Sequence, residues 1–331
     1  MIETDASEDP SMRRLTLSPV LSGRLADSGL DVVVTGAGGW LGRATLEMME
    51  SCLGPSVATR VHAFASSSRT MLLRSGTALE VRALSDLAGW SGGSHLVVHY
   101  AFVTREHVTR LGLAEYVRRN EAITALVAGH VASHRPAGTA MVSSGAVHLG
   151  EDPSTNPYGV LKARDERTFL ELARQQRSVG PEPRLVIPRL FNLAGPFLNK
   201  VDDYVLGSIL SDIALGGPIR IRATRPVVRS YVHVESLIEL LFAAMLGEQS
   251  LPMRGFDTAG ERSVEVGELA ALAASVLGHP DMAIHRPPLE STSQDRYVGD
   301  PTIMNDLVAA LGIAMHPLPD QIVDTARFLR E

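Results

Sequence analysis

The sequence predicts an α/β fold in which a doubly wound parallel sheet is joined to a smaller, interleaved C-terminal domain. Three observations carry that prediction. Asp31-Val32-Val33-Val34-Thr35 is a β-branched run that reads as a strand buried on both faces. It enters a glycine-rich turn, Gly36-Ala37-Gly38-Gly39-Trp40-Leu41-Gly42, and then a helical stretch from Arg43 to Glu50. From there strands and helices alternate as far as Ile187, the order that a parallel sheet with helices on both faces requires.

Residues 1 to about 28 are acidic at first, polar, and contain Pro10 and Pro19, so a mobile tail or surface arm is expected. The strand, glycine turn and helix that follow form a phosphate cradle. Gly36 permits the tight turn, Gly39 lets the backbone approach a pyrophosphate, and Gly42 lets helix and strand pack closely, with phosphates at the helix N-terminus. Gly38, Trp40 and Leu41 lie in the same turn and are expected beside the cofactor. This defines a dinucleotide-binding Rossmann domain over residues 29–190.

The second strand is expected over Ala58–Ala65. An NAD site usually places a carboxylate at its end for the ribose hydroxyls, whereas a 2′-phosphate is matched by hydroxyls and a guanidinium. Here Ser66, Ser67, Ser68 and Arg69 stand there without a carboxylate, which favours NADP(H), with NAD(H) as the other option. A third strand is expected over Leu79–Leu84, with Asp86 placed to contact adenine. A fourth runs from His95 to Ala101. His99 and Tyr100 at its end read as structural, since a histidine inside an apolar strand usually is. A helix from about Leu113 to Ser133 contains Asn120, and the strand Thr139–Val142 ends in Ser143-Ser144-Gly145-Ala146-Val147-His148.

The run from Thr155 to Arg177 reads as a helix carrying Tyr158-Gly159-Val160-Leu161-Lys162. A spacing of four puts the phenol and the ammonium on one face. A cation ~4 Å from the phenol at an effective dielectric of ~20 is worth ~4 kcal/mol, or about three pKa units. Lys162 is therefore expected to bring Tyr158 toward neutrality. Apart from Lys162, the only lysine is Lys200, the chain using arginine elsewhere, yet a lysine stands at this position.

Bulk properties narrow the function. The 331 residues carry a formal charge of −6, which opposes nucleic-acid binding through a concentrated basic surface. Cys52 is the single cysteine, so an internal disulfide and a cysteine-built metal site are excluded, and no metal is expected. Glu3, Asp5, Glu8 and Asp9 stand where a secretory signal would be positive, and a cytoplasmic location is expected. The apolar windows Leu237–Leu246 and Leu269–Leu277 are too short or too interrupted to span a bilayer.

Taken together, these motifs resemble the extended short-chain dehydrogenase/reductase family of NAD(P)-dependent nucleotide-sugar epimerases, dehydratases and ketoreductases. Thr35 to Gly42 resembles its TGxxGxxG, and Ser143-Ser144 with Tyr158-x-x-x-Lys162 resembles its catalytic set. Arg189 to Pro196 is similar to its RxxNxxGP, Arg229 to Val234 to its R-D-aromatic-V-aromatic-V, and Arg296 to Asp300 to its R-Y-x-x-D. The resemblance implies that Tyr158 exchanges a proton with the reacting oxygen and that Lys162 lowers the phenol pKa and holds the nicotinamide ribose. It gives Ser144, four before His148, the task of hydrogen-bonding that oxygen. Ser144, Asn192, Arg229 and Arg296 then bind a nucleotide-sugar substrate in a domain built mainly from residues 191–331, with residues 230–247 returning to the first domain. The resemblance also implies a homodimer made through a four-helix bundle of the helices at Leu113–Ser133 and Thr155–Arg177.

Departures from the pattern narrow the reaction. In the 4,6-dehydratases the serine or threonine is followed by Asp-Glu, whereas this chain has Gly145-Ala146. Elimination is thereby disfavoured, leaving reduction of a nucleotide 4-keto-6-deoxyhexose or epimerisation with tightly bound NAD. The missing carboxylate after the second strand favours the NADPH-dependent reductase. A reductase of a small ketone, steroid or flavonoid-like alcohol, and a dinucleotide sensor without chemistry, are the remaining readings. Ser230 replaces the usual acidic residue and Ala223 a usual glycine, so sugar and base preferences do not carry over.

Overall fold

The structure, a computed structural model, describes residues 13–178 and 183–330. In chain order its elements are α1 (Pro19–Ser28), β1 (Asp31–Thr35), α2 (Trp40–Leu53), α3 (Val57–Arg60), β2 (Val61–Ala65), β3 (Arg69–Leu72), β4 (Ala78–Ala83) and β5 (His95–His99). There follow α4 (Val108–Leu111), α5 (Leu113–His134), β6 (Gly138–Met141), β7 (Ser143–Ser144), α6 (Pro157–Arg177) and β8 (Leu185–Val186). The rest of the chain adds α7 (Val205–Ala214), α8 (Val234–Leu246), α9 (Val266–Val276), α10 (Thr302–Leu311) and α11 (Leu318–Arg330). Short strands, among them Asn192–Ala194, Val227–His233, Ser263–Glu265 and Asp295–Tyr297, lie between these helices.

Seven strands form the main sheet in the order β3-β4-β2-β1-β5-β6-β8, parallel except for β3, which runs antiparallel to β4 at the edge. From β1 the chain winds outward first to one side and then to the other. A crevice therefore opens at the carboxyl ends of β1 and β5, where the winding reverses. Period-two alternation divides the core. Val32 and Val34 face α1, α2 and α8 with Leu46, Met49 and Leu241, while Val33, Phe64 and Val97 face Val127 of α5 and Phe169 of α6. A separate cluster around Ile209, Leu269 and Ile322 holds the C-terminal lobe. Helix α8 is buried along nearly its whole length and packs on α1, α2, β6 and β8. No described helix is long and apolar enough to cross a membrane.

Two expectations are corrected here. Residues 13–28 are not a loose tail; residues 1–12 lie outside the described set. Leu15, Leu17, Leu21 and Leu25 are all buried, and Pro19 sits in the first turn of α1, where its missing N–H costs nothing. Arg13 adds a charged fastening by donating to Glu235 of α8 and Asp324 of α11. The second strand begins at Val61 instead of Ala58, because Val57–Arg60 forms a helical turn with Arg60 bonded to the carbonyls of Leu25 and Leu30. The edge strand β3, starting at Arg69, had no counterpart in the sequence expectations.

Candidate active site

The glycine turn leaves β1 at its carboxyl end and enters α2. Gly36 has φ +74, in the left-handed region, and a side chain there would run into the Tyr100–Ala101 backbone 2.7–3.0 Å away. At Gly42 a side chain would collide with Gly36 O and the Ala37 backbone, which is the close helix–strand approach the sequence implied. Gly39 caps α2 with no side-chain acceptor, so the first turn presents open N–H groups of the kind that bind phosphate. Arg69 folds back across the turn until its guanidinium occupies the space that a Gly38 side chain would fill.

A cleft of about 600 Å³ runs from this turn to the end of α6. Gly36, Gly38, Gly39, Trp40, Leu41, Gly42, Ser66 and Arg69 line one end, and Ser144 and Tyr158 line the other. Of the expected cofactor residues, Ser67, Asp86 and Lys162 are not brought into its lining, Lys162 being buried beneath it. Asp86 is exposed and accepts from Ser85, and the neighbouring Leu84 takes the place at the wall.

Local packing explains how Tyr158 and Ser144 meet. Asn156 caps α6 by accepting from Gly159 N at 3.1 Å, and its amide donates to Ala146 O and Gly150 O at 2.9 Å each. The helix thereby docks on the 145–148 turn so tightly that a side chain at Gly159 would strike Ala146 O. Ser144 accepts from Ala146 N at 3.2 Å and lies 3.5 Å from the Tyr297 hydroxyl. Ser143 instead gives its hydroxyl to Glu166, which is held bidentately by Arg189.

The electrostatics differ from the simple Tyr/Lys picture. Burial pushes the Tyr158 phenol up to about 12, with Ser144 pulling the other way. The Lys162 ammonium donates to Val142 O at 3.0 Å, lies 3.7 Å from Asp165 and sits 4.0 Å over the Phe102 ring. Among the described residues no hydrogen bond joins it to Tyr158. The expected depression of the phenol pKa is not found: burial dominates, and the nearby Asp165 carboxylate pushes the same way.

Asn120 has a definite task in the structure. Its side chain accepts from Val103 N at 2.8 Å and donates to Val103 O and Tyr116 O at 3.2 Å. It thus ties the loop after β5 to α5 and presents Phe102 and Val103 to the cleft. His99 is buried and neutral, its pKa pushed down to about 3 by burial and by Lys162, and its Nδ1 meets Thr35 Oγ1 at 2.8 Å. At the mouth, Lys200 donates to Glu106 and reaches Thr104 at 3.4 Å. Burial raises the Glu106 carboxyl, but Lys200 and Thr104 outweigh it and hold it at about 2. Trp40 is anchored by its indole N–H to Pro196 O at 2.6 Å and packs edge-on against Tyr204. Asn156, Glu106, Lys200 and Tyr204 were not named as site residues from sequence. The Asn-Pro start of α6 was a visible signal for the first, and the rarity of lysine for Lys200.

The expected substrate residues other than Ser144 do not line this cleft. Asn192 bridges Ser230 O and Tyr297 O at 3.2 and 3.3 Å. Arg229 donates to Asp295 O at 2.8 Å and its carboxylate at 3.2 Å, while Arg296 is exposed on the neighbouring strand. Metal-ligand spacing occurs among the described residues at His233, Glu235 and His316. There the Arg13 guanidinium already supplies the positive charge, bonding Glu235, Asp324 and, at 2.9 Å, His316.

Known structures share this fold. UDP-N-acetylglucosamine 4-epimerase from Methanobrevibacter ruminantium, solved with UDP-N-acetylmuramic acid, superposes with a TM-score of 0.69 at 18% identity, covering 91% of this chain and 98% of its own. A UDP-glucuronic acid 4-epimerase variant from Bacillus cereus, solved with NAD and a fluorinated UDP-sugar, gives 0.67 at 14% identity over 91% and 99%. The dTDP-glucose 4,6-dehydratase of Streptomyces venezuelae, solved with NAD, gives 0.68 at 17% identity over 91% and 97%. Among curated proteins none matches the chain in sequence. The family model for the NAD dependent epimerase/dehydratase family matches residues 32–252, from the first core residue of β1 to beyond α8, and the chain belongs to that family.

Proposed function

We propose that the protein reduces the keto group of a nucleotide-linked 4-keto-6-deoxyhexose with NADP(H). The observation that carries this reading is the end of β2. Ser66 and Arg69 line the cleft there, and the Arg69 guanidinium lies across the glycine turn, where it suits a 2′-phosphate. A nicotinamide dinucleotide supplies the hydride when bound. The glycine turn and the open first turn of α2 hold its pyrophosphate, and Trp40 and Leu41 flank it. Tyr158, protonated at neutral pH, donates a proton to the substrate oxygen, and Ser144 hydrogen-bonds that oxygen as charge develops on it. Lys162 would steady the nicotinamide ribose, the role that the family resemblance implies for it. Asp-Glu chemistry beside Ser144 is not available, since the Phe191 ring occupies the space a side chain at Gly145 would need.

Residues 29–190, with 230–247, serve the cofactor, and 191–331 mainly serve the substrate, with Asn192, Arg229 and the exposed Arg296 on its diphosphate side. Helices α5 and α6, bridged by Arg164 and Glu121 at 2.9 Å, form the face through which a cytoplasmic homodimer assembles. Epimerisation with retained NAD is the second reading, supported by the epimerases among the structural neighbours, two of them named above. Incubation with NADPH and a panel of nucleotide 4-keto-6-deoxyhexoses, followed by nicotinamide absorbance, separates the two. Stoichiometric loss of NADPH supports reduction. Altered sugar without cofactor loss, or NAD carried through purification, supports epimerisation.

A further inference from the structure

Lys162 is one of two lysines in the chain and is 5% exposed. A buried ammonium tends to lose its proton unless an anion faces it. Asp165, 3% exposed, is on the same helix three residues on, with Oδ2 3.7 Å from the Lys162 Nζ. Its Oδ1 accepts from Thr124 Oγ1 at 2.6 Å, whereas Oδ2 is buried without a hydrogen-bond partner. The carboxylate is thus fixed from α5 by one oxygen and turned toward the lysine by the other.

Other groups around the lysine contribute less than Asp165, Glu166 coming next. On α6, Glu166 is committed to Arg189 and Ser143, and Tyr158 is a neutral phenol. From β5 comes the neutral His99, and from α5 the buried Tyr116, whose phenol is pushed up chiefly by burial. The loop after β5 offers only the Phe102 ring, and the end of β6 a carbonyl. On the solvent side, Glu121, Arg164, Arg167 and Glu171 line the groove between α5 and α6 that has Asp165 in its wall.

We propose that Asp165 is the resident counter-ion of Lys162, a positioning residue that keeps the buried lysine charged. The proposal rests on the reading of Tyr158 and Lys162 as the proton-transfer pair, yet its test needs no substrate. Because the chain has two lysines, ε-13C-lysine labelling gives two signals, assigned with Lys162→Met, and Lys200 serves as internal control. In Asp165→Asn, which keeps an acceptor for Thr124, the Lys162 titration midpoint is expected to fall by about one to three pH units. Unchanged or raised midpoints overturn the proposal, whatever the enzyme does with nucleotide sugars. A stability cycle gives a second arm. Lys162→Met strands the carboxylate, so the double variant Lys162→Met/Asp165→Asn is expected to lose less than the two single losses added together. Strict additivity overturns the proposal. Should Asp165→Asn fail to fold, the double variant is expected to fold, and failure of both overturns it as well.

Discussion

Arg69→Ala is the perturbation that bears most directly on cofactor choice. The guanidinium lies against Gly38 at the rim of the cleft and is exposed, so its interaction with a 2′-phosphate is partly screened. A charge pair ~4 Å apart at an effective dielectric of ~20 is worth ~4 kcal/mol. Exposure and salt reduce that to about 2 kcal/mol, or about 30-fold in affinity. Trp40 lines the same cleft and supplies a fluorescence signal for titration with NADPH and NADH at fixed ionic strength. The expected result is an NADPH Kd raised about 30-fold, with NADH affinity changed by less than about threefold. Equal weakening of both cofactors, or of neither, would refute the assignment of Arg69 to the 2′-phosphate.

Three further outcomes are expected. Gly159→Ala places a methyl group against Ala146 O and the Asn156 side chain, and overpacking of this kind costs about 1–3 kcal/mol; a urea midpoint equal to that of the unaltered protein contradicts the docking described for α6. Leu25→Ala empties a fully buried site in α1 and is expected to cost about 2–5 kcal/mol in urea unfolding, where a loose tail would show almost nothing. Burial holds the pKa values of His99 and His233 at about 3 and that of His130 at about 4, all below their unfolded value. The unfolded chain therefore takes up protons first, and stability present above pH ~6.5 is lost as pH falls toward 4, by about 2 kcal/mol per histidine at pH 5. Urea midpoints that stay level between pH 7.5 and 5 would contradict this.

What was legible in the sequence was local. The glycine turn and the Tyr158/Lys162 spacing each lie within a few residues, and the backbone geometry of one strand–turn–helix or one helix decides where they point. Helix α8 was also legible, since an apolar run with few charges has to be buried. The failures involve distant partners. Arg13 looked like part of a polar tail because Glu235 and Asp324, more than two hundred residues away, supply its counter-charge. For Arg229, read as a diphosphate ligand, the sequence did not show the partner Asp295 that the fold brings in from another strand. Asp165 was in view three residues from Lys162, but only burial makes it that lysine's partner, and burial of the phenol itself is what leaves Tyr158 high.

The central claim is hydride transfer to one substrate carbon with Tyr158 as proton donor. It is tested most directly by NADPH deuterated on the transferred face of the nicotinamide C4, with a nucleotide 4-keto-6-deoxyhexose that the protein consumes. The account predicts one deuterium per product sugar and one NADPH oxidised per turnover, with Tyr158→Phe slower by about 10²- to 10⁴-fold while still binding the cofactor. Product free of deuterium, or an undiminished rate in Tyr158→Phe, would contradict it.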